Sequence, residues 1–201
     1  MGFFDTLFGR TKVAQPKVDA LFALPGAAIT LEVAANLTSD GWGAVVFKPA
    51  SGAAFANTEH EFRDVLAELT DTTVTQATDG FGYRWVLLRA ADLETLVTAV
   101  HAVNRSLEDH GFGPQLLCSL FAFHDTTGAQ PVFWVYLYKR GTFYPFVPTG
   151  HEQRDNEREL SLKAVVGSDL PVEEDLTRWF PLWDIPDPPP AAAQDGTGST
   201  T

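Results

Sequence analysis

Five histidines, one cysteine and two runs of adjacent carboxylates are the side chains here best suited to catalysis or metal binding. His60, His101, His110, His124 and His151 form no HxH or HExxH pattern, so no two are spaced to grip one metal ion from a shared face. His101 follows Val97 by one helical turn and sits at the edge of an apolar stripe, a position that suits a packed or capping imidazole. His110 precedes Gly111, where a positive charge complements the C-terminal end of a helix. Cys118 lies within Leu116-Leu117-Cys118-Ser119-Leu120, an apolar strand in which burial keeps a thiol protonated and inert. A lone cysteine provides neither an internal disulfide nor a zinc site built on two or more cysteines of one chain. Glu108-Asp109 and Glu173-Glu174-Asp175 could attract a cation, but adjacent carboxylates on a helix diverge and no spaced oxygen ligands complete a shell. Asp79-Gly80-Phe81-Gly82 lacks the lysine and following helix of a phosphate loop, and there is no GxSxG elbow. The expectation is a protein with no catalytic residues, no metal and no cofactor. The enzymatic alternative requires His101, Cys118 or His124 to share a cleft with an acid such as Asp125.

Two other features point to binding. In Tyr136-Leu137-Tyr138-Lys139-Arg140-Gly141-Thr142-Phe143-Tyr144-Pro145-Phe146, two cations occupy a hairpin tip between aromatic strands. Arg140 there can stack on a ring or grip a carboxylate of a partner, with Lys139 beside it. At the N-terminus, Phe3, Phe4, Leu7 and Phe8 precede Arg10 and Lys12. This amphipathic segment can dock on its own domain, meet a partner, or lie on a bilayer with its cations near lipid phosphates.

The elements that would carry these residues follow from periodicity. A helix beginning near Pro16 and Lys17 includes Val18, Leu21, Phe22 and Leu24 and is interrupted at Pro25-Gly26. A further apolar segment contains Ile29, Leu31 and Val33. A strand is expected over Trp42–Lys48, bounded by Asp40-Gly41 and Pro49, with a short return at Ala53–Ala56. Thr58 and Glu61 resemble a capping box ahead of Phe62, Val65, Leu66 and Leu69. Val74–Ala77 and Tyr83–Arg89 form a hairpin pattern. Asp92–His110 is a helix, with Asp92 as N-cap, a stripe from Leu93 to Leu107, and Gly111 as the stop. Strands follow at Gln115–Phe123, Val132–Lys139 and Thr142–Val147. They are apolar on both faces, so both faces of their sheet need cover. A polar helix spans roughly 155–166, ahead of Trp179-Phe180-Pro181-Leu182-Trp183. Runs of neighbouring strands between helices predict an α+β fold, a mainly antiparallel sheet with flanking helices. Its element order resembles the type III secretion chaperone-like or YbjN-like fold. The expected organisation is a segment 1–12, one domain over 13–185, and a Pro/Ala/Gly/Ser/Thr-rich disordered tail over 186–201.

Charge narrows the partners. The 201 residues carry 14 Lys+Arg against 26 Asp+Glu, a net of −12, which argues against nonspecific nucleic-acid binding. The excess is uneven: residues 152–175 hold eight acids and three bases, whereas residues 1–48 balance four against four. The acidic run reads as a solvated helical face. No apolar stretch approaches the ~18 residues of a membrane span and no signal peptide is recognisable, so a cytoplasmic location is expected, with peripheral membrane contact open.

Several longer stretches resemble one family, the phage-shock-protein-A-associated proteins called PspAB. They are Met1-Gly2-Phe3-Phe4-Asp5 with Leu7-Phe8-Gly9-Arg10-Thr11, Leu21-Phe22-Ala23-Leu24-Pro25, Ala102-Val103-Asn104-Arg105-Ser106-Leu107-Glu108, and Gly111 through Leu120. Val135–Phe146 and Arg178-Trp179-Phe180-Pro181 complete the likeness, which covers most of residues 1–185. The resemblance implies a cytoplasmic adaptor or regulator in the envelope-stress response. Its implied partner is phage shock protein A, or a membrane protease of the same response, and it implies no catalytic residue. The fold resemblance suggests an alternative, a chaperone-like module that holds an extended segment of another protein.

Overall fold

The structure is a computed structural model that describes residues 18–49, 66–127 and 130–191. The expected N-terminal segment, the return at Ala53–Ala56 and most of the capping-box helix lie outside these residues.

The first element is a 3-10 turn, Val18–Ala23, that runs directly into α1, Leu24–Ala35. The expected interruption at Pro25-Gly26 does not occur. Pro25 occupies the first turn of α1, where no helical hydrogen bond is lost by lacking an N–H. Asn36, in the left-handed region at φ 54°, ends the helix and donates its N–H to the Leu31 carbonyl.

Strand β1, Leu37–Phe47, begins earlier than its β-branched run suggests. Asp40-Gly41 is a bulge within the strand rather than its boundary: β1 advances from Ser39 to Gly43 while its partner moves only from Phe123 to Phe121. Gly43 is required there, because a Cβ would lie 2.5 Å from the Leu120 carbonyl oxygen. The hairpin follows as β2, Thr72–Thr78, and β3, Arg84–Ala90. Next comes α2, Leu93–Leu107, with the Asp92 side chain accepting from the Thr95 N–H as an N-cap. A single π-turn, Glu108–Phe112, then brings Gly111 to φ 83°. Three strands continue the chain: β4, Leu116–Asp125; β5, Pro131–Leu137; and β6, Thr142–Phe146. A small hairpin, β7 (Pro148–Gly150) with β8 (Gln153–Arg154), leads to α3, Asn156–Val166, capped by Asp155.

All strand pairs of the main sheet are antiparallel, in the order β2-β3-β1-β4-β5-β6. The α+β expectation therefore holds. Alternation along the strands sorts side chains onto two apolar faces. Val45, Val86, Phe121, Phe123 and Trp134 meet Leu24, Leu31, Leu96, Val100 and Leu162 of α1, α2 and α3. Ala44, Trp85, Leu87, Leu120, Phe133 and Phe146 face the other way and meet Trp179, Leu182, Trp183 and Ile185. This second cover is an extended C-terminal strap without helix or ladder. The strap runs on into the stretch expected as a tail: residues 186–191 are described, Pro189 is buried, and its carbonyl accepts from Arg89 Nε at 2.7 Å. Prolines have no N–H to satisfy, so such a stretch can settle on a surface without a ladder.

Candidate functional site

Between the strap and its sheet face lies an apolar groove of about 490 Å³. Its floor is Val46, Trp85, Cys118, Leu137 and Tyr144, one contribution from each of the five strands β1, β3, β4, β5 and β6. Phe180, Leu182 and Trp183 of the strap form the roof. Phe81, Leu117 and Phe180 stand at its edges with 72%, 39% and 58% of their surface exposed. Large apolar side chains left in water around a concavity mark a surface suited to a ligand or partner.

Local chemistry holds the rim. In the β2–β3 turn, Asp79 Oδ1 accepts from the N–H groups of Phe81 and Tyr83, both at 2.9 Å, and Oδ2 accepts from Trp85 Nε1 at 2.9 Å. That carboxylate fixes the loop that presents Phe81 outward. Lys48 sits 5.4 Å from the Tyr83 ring centroid.

The roof is fastened by side chains donating to strap carbonyls. Tyr144 OH donates to Phe180 O at 2.8 Å and Arg154 Nη1 to Trp179 O at 2.6 Å. Trp179 stacks on Tyr144, with ring centroids 5.9 Å apart, and Trp183 meets Phe146 edge-on at 5.4 Å. Trp179 Nε1 donates to Glu173 O at 3.0 Å.

Two buried glutamates support these anchors. Glu159 receives Arg154 Nε on both carboxylate oxygens at 2.9 Å and the Val147 N–H at 2.8 Å. Burial nevertheless wins and raises its carboxyl above the ordinary range, against those donors. Glu173 is also pushed up by burial, but donors from Arg140, the Asp175 N–H and Thr142 outweigh it and leave the carboxyl below its usual value.

The residues singled out from sequence fall as follows. Phe3, Phe4, Leu7, Phe8, Arg10 and Lys12 are outside the described residues. Lys139 and Arg140 do occupy the turn between β5 and β6, beside Leu137 of the groove. Both already have partners in this chain: Lys139 Nζ donates to Pro114 O at 2.6 Å, and Arg140 forms an ion pair with Glu173. The carboxylate that the sequence left to a partner is thus supplied internally.

The proposed His/Cys constellation is not assembled. His101 is on α2, with its ring 5.0 Å from Phe22. Cys118 is on the strap side of the sheet, where burial pushes its thiol up to about 12. His124 Nδ1 is 2.5 Å from Asp40 Oδ1, while Asp125 is engaged by Arg158 at 2.7 Å. The acidic runs are likewise dispersed: Arg105 approaches Glu108 and Asp109, Lys163 takes Glu174, and Arg178 takes Asp175. Among the described residues no group of three or more His, Cys, Asp or Glu is placed to hold a metal, and no helix is long and apolar enough to cross a membrane.

Sequence reasoning missed the groove. Two signals were available: a bulky Phe81 inside a Gly-flanked turn, and two tryptophans close to a proline-rich end, opposite strands that needed a second cover.

Fold and groove together define an α+β protein with one helix-packed sheet face and one strap-covered face that retains an apolar cleft. The family model of PspAB, PspA associated protein B, matches residues 1–187, and the chain belongs to that family. The matched span includes both the groove and most of the strap. No curated protein and no solved structure matches the chain.

Proposed function

We propose that this protein is a non-enzymatic, cytoplasmic adaptor that associates with PspA and receives an apolar segment of its partner in the groove beneath the strap. The family description supports the link to PspA. The observation carrying the binding mode is the groove of about 490 Å³ edged by exposed Phe81, Leu117 and Phe180. In a monomeric chain such a surface costs solubility unless something covers it.

A chaperone-like reading, in which the groove holds an extended segment, draws on the strap itself. That segment lies on the sheet through ring contacts and side-chain donors to its carbonyls, a mode any extended chain of similar composition can adopt.

The test is site-directed photo-crosslinking to purified PspA from position 117 in the groove and from exposed Glu94 on α2 as the control. Crosslinks from 117 alone agree with the proposal, whereas capture from Glu94 alone removes the groove from it. The crosslinked stretch distinguishes the readings: one fixed segment of PspA fits an adaptor, and equal capture of unrelated unfolded chains fits a chaperone-like module. Repeating the assay without Met1–Lys12, and with Lys139→Ala and Arg140→Ala, measures what those surfaces add. A membrane protease of the same response is the second partner to assay.

A further inference from the structure

A second concavity lies beside the groove. It measures about 140 Å³ and is lined by Leu160, Leu176, Arg154, Asn156, Glu159 and Trp179. Its apolar rim is built by two short-range devices. Successive residues of α3 stand about 100° apart around the helix, so Glu159 is buried on Arg154 while Leu160 beside it is 47% exposed. The buried positions of α3 are Glu159, Leu162 and Val166, and Leu160 is not among them. Asp175 caps the 3-10 turn Leu176–Arg178 by accepting the Thr177 N–H at 3.1 Å, which leaves Leu176 51% exposed and Trp179 buried. A single exposed leucine is ordinary, but two that line one concavity with a buried tryptophan make a patch.

This pocket and the groove have no lining residue in common, yet they adjoin. Trp179 lines the pocket, and Phe180, the next residue, lines the groove. Trp179 also stacks on Tyr144 of the groove floor, with ring centroids 5.9 Å apart. The strap is tied down at this crossing, because Arg154 and Tyr144 donate to the Trp179 and Phe180 carbonyls. A partner can therefore reach both concavities without displacing it. The charge left open along this path has one sign. Asp184 lines the groove and Glu157 lies one helical turn before Leu160; both are exposed, and neither forms an ion pair among the described residues. The cations nearby are taken: Arg154 by Glu159, Lys163 by Glu174, Arg178 by Asp175. Lys48 sits over the Tyr83 ring.

We infer that the Leu160–Leu176 pocket is a second anchor site, filled by the same partner segment that enters the groove. That segment is basic and apolar. It sets one large apolar side chain on each side of Trp179-Phe180 and turns a Lys or Arg toward Asp184 or Glu157. The inference rests on the groove being the site for PspA, and it adds specificity: two anchors and a charge select a sequence that one apolar cleft does not.

Calorimetric titration of the full chain with purified PspA tests it, with each variant's thermal midpoint as the check on folding. Leu160→Ser with Leu176→Ser strips the second pocket, Phe81→Asp with Leu117→Asp spoils the groove, and Glu157→Gln with Asp184→Asn removes the two carboxylates. The leucine pair is expected to bind roughly tenfold more weakly. The carboxylate pair should bind more weakly at low salt and like wild type at high salt. Weakened binding by the groove pair with wild-type affinity in the leucine pair overturns the inference and leaves the groove as the site. Wild-type affinity in the groove pair removes both. Wild-type affinity of the carboxylate pair at low salt overturns the basic character of the segment. Photo-crosslinking from position 117 and from exposed Ala164, one turn after Leu160, decides the rest, also where the leucine pair lowers the midpoint. One continuous stretch of PspA captured from both positions agrees with a single segment, and two distant stretches, or no capture from position 164, overturn it.

Discussion

The two faces of the sheet use the same strands and differ in what covers them. On one face α1, α2 and α3 pack on Val45, Val86, Phe121, Phe123 and Trp134, all of them fully buried. On the other, a strap of irregular backbone lays Trp179, Leu182, Trp183 and Ile185 across Trp85, Leu120, Phe133 and Phe146. A helix satisfies its own backbone and can therefore offer a continuous apolar stripe. The strap needs Tyr144, Arg154 and Arg89 to bind its carbonyls, and it touches the sheet at separated side chains rather than along a continuous stripe. The strands' side chains on the helix face are buried, and the strap face keeps a cleft. On the proposed function, the first face holds the fold together and the second receives the partner.

Substitutions can break this contrast. Phe121→Ala, on the helix face at full burial, should cost about 3–5 kcal/mol in denaturant unfolding. Glu159→Ala should cost about 3 kcal/mol, since it strands Arg154, the residue that ties the strap at Trp179. Trp183→Ala, at a half-buried edge contact with Phe146, should cost only about 1–2 kcal/mol. Limited proteolysis of the native protein should then cut the strap while α2 stays intact. A loss from Trp183→Ala as large as that from Phe121→Ala would mean that the strap face is a core like the other.

The buried glutamates sharpen the contrast through pH. The Glu173 carboxyl is lowered from its ordinary 4.5, so its contribution is present above that value and is lost as pH falls through the folded value. Glu159 is raised, so its contribution is present below 4.5 and is lost as pH rises through its folded value. Relative to wild type, Glu173→Gln should lose more stability at pH 7 than at pH 3. Glu159→Gln should remove a decline of stability above pH 4.5. Chemical unfolding across that range checks both signs.

Much of the framework was legible because it rests on local rules. The Asp92 cap, the stripe from Leu93 to Leu107 and the Gly111 stop specify α2 within the chain itself, and β3 to β6 show as apolar runs bounded by turns. Boundaries failed where a tertiary contact overrode a local signal. Asp40-Gly41 reads as a turn but is a bulge against Phe123 and Phe121, and Pro25 reads as a break but opens a helix. The site was the least legible part. Val46, Trp85, Cys118, Leu137 and Tyr144 come from five strands and meet only once the sheet order is set, and Arg140 looked free because Glu173 is distant in sequence. Apolarity on both faces was visible in β4 and β5, but nothing local tells a helix cover from a strap.

The smallest expected effect on folding belongs to the rim, and it carries the central claim. Phe81→Asp combined with Leu117→Asp alters exposed side chains and should shift stability by no more than about 0.5 kcal/mol per site. The decisive measurement is the affinity of purified PspA for the wild-type chain and for this double variant, by calorimetric titration at one salt concentration. A groove that receives the partner predicts at least a tenfold loss of affinity, on the order of 1.4 kcal/mol, with the thermal midpoint unchanged. Equal affinity of the two proteins would contradict it and place the association elsewhere on the molecule.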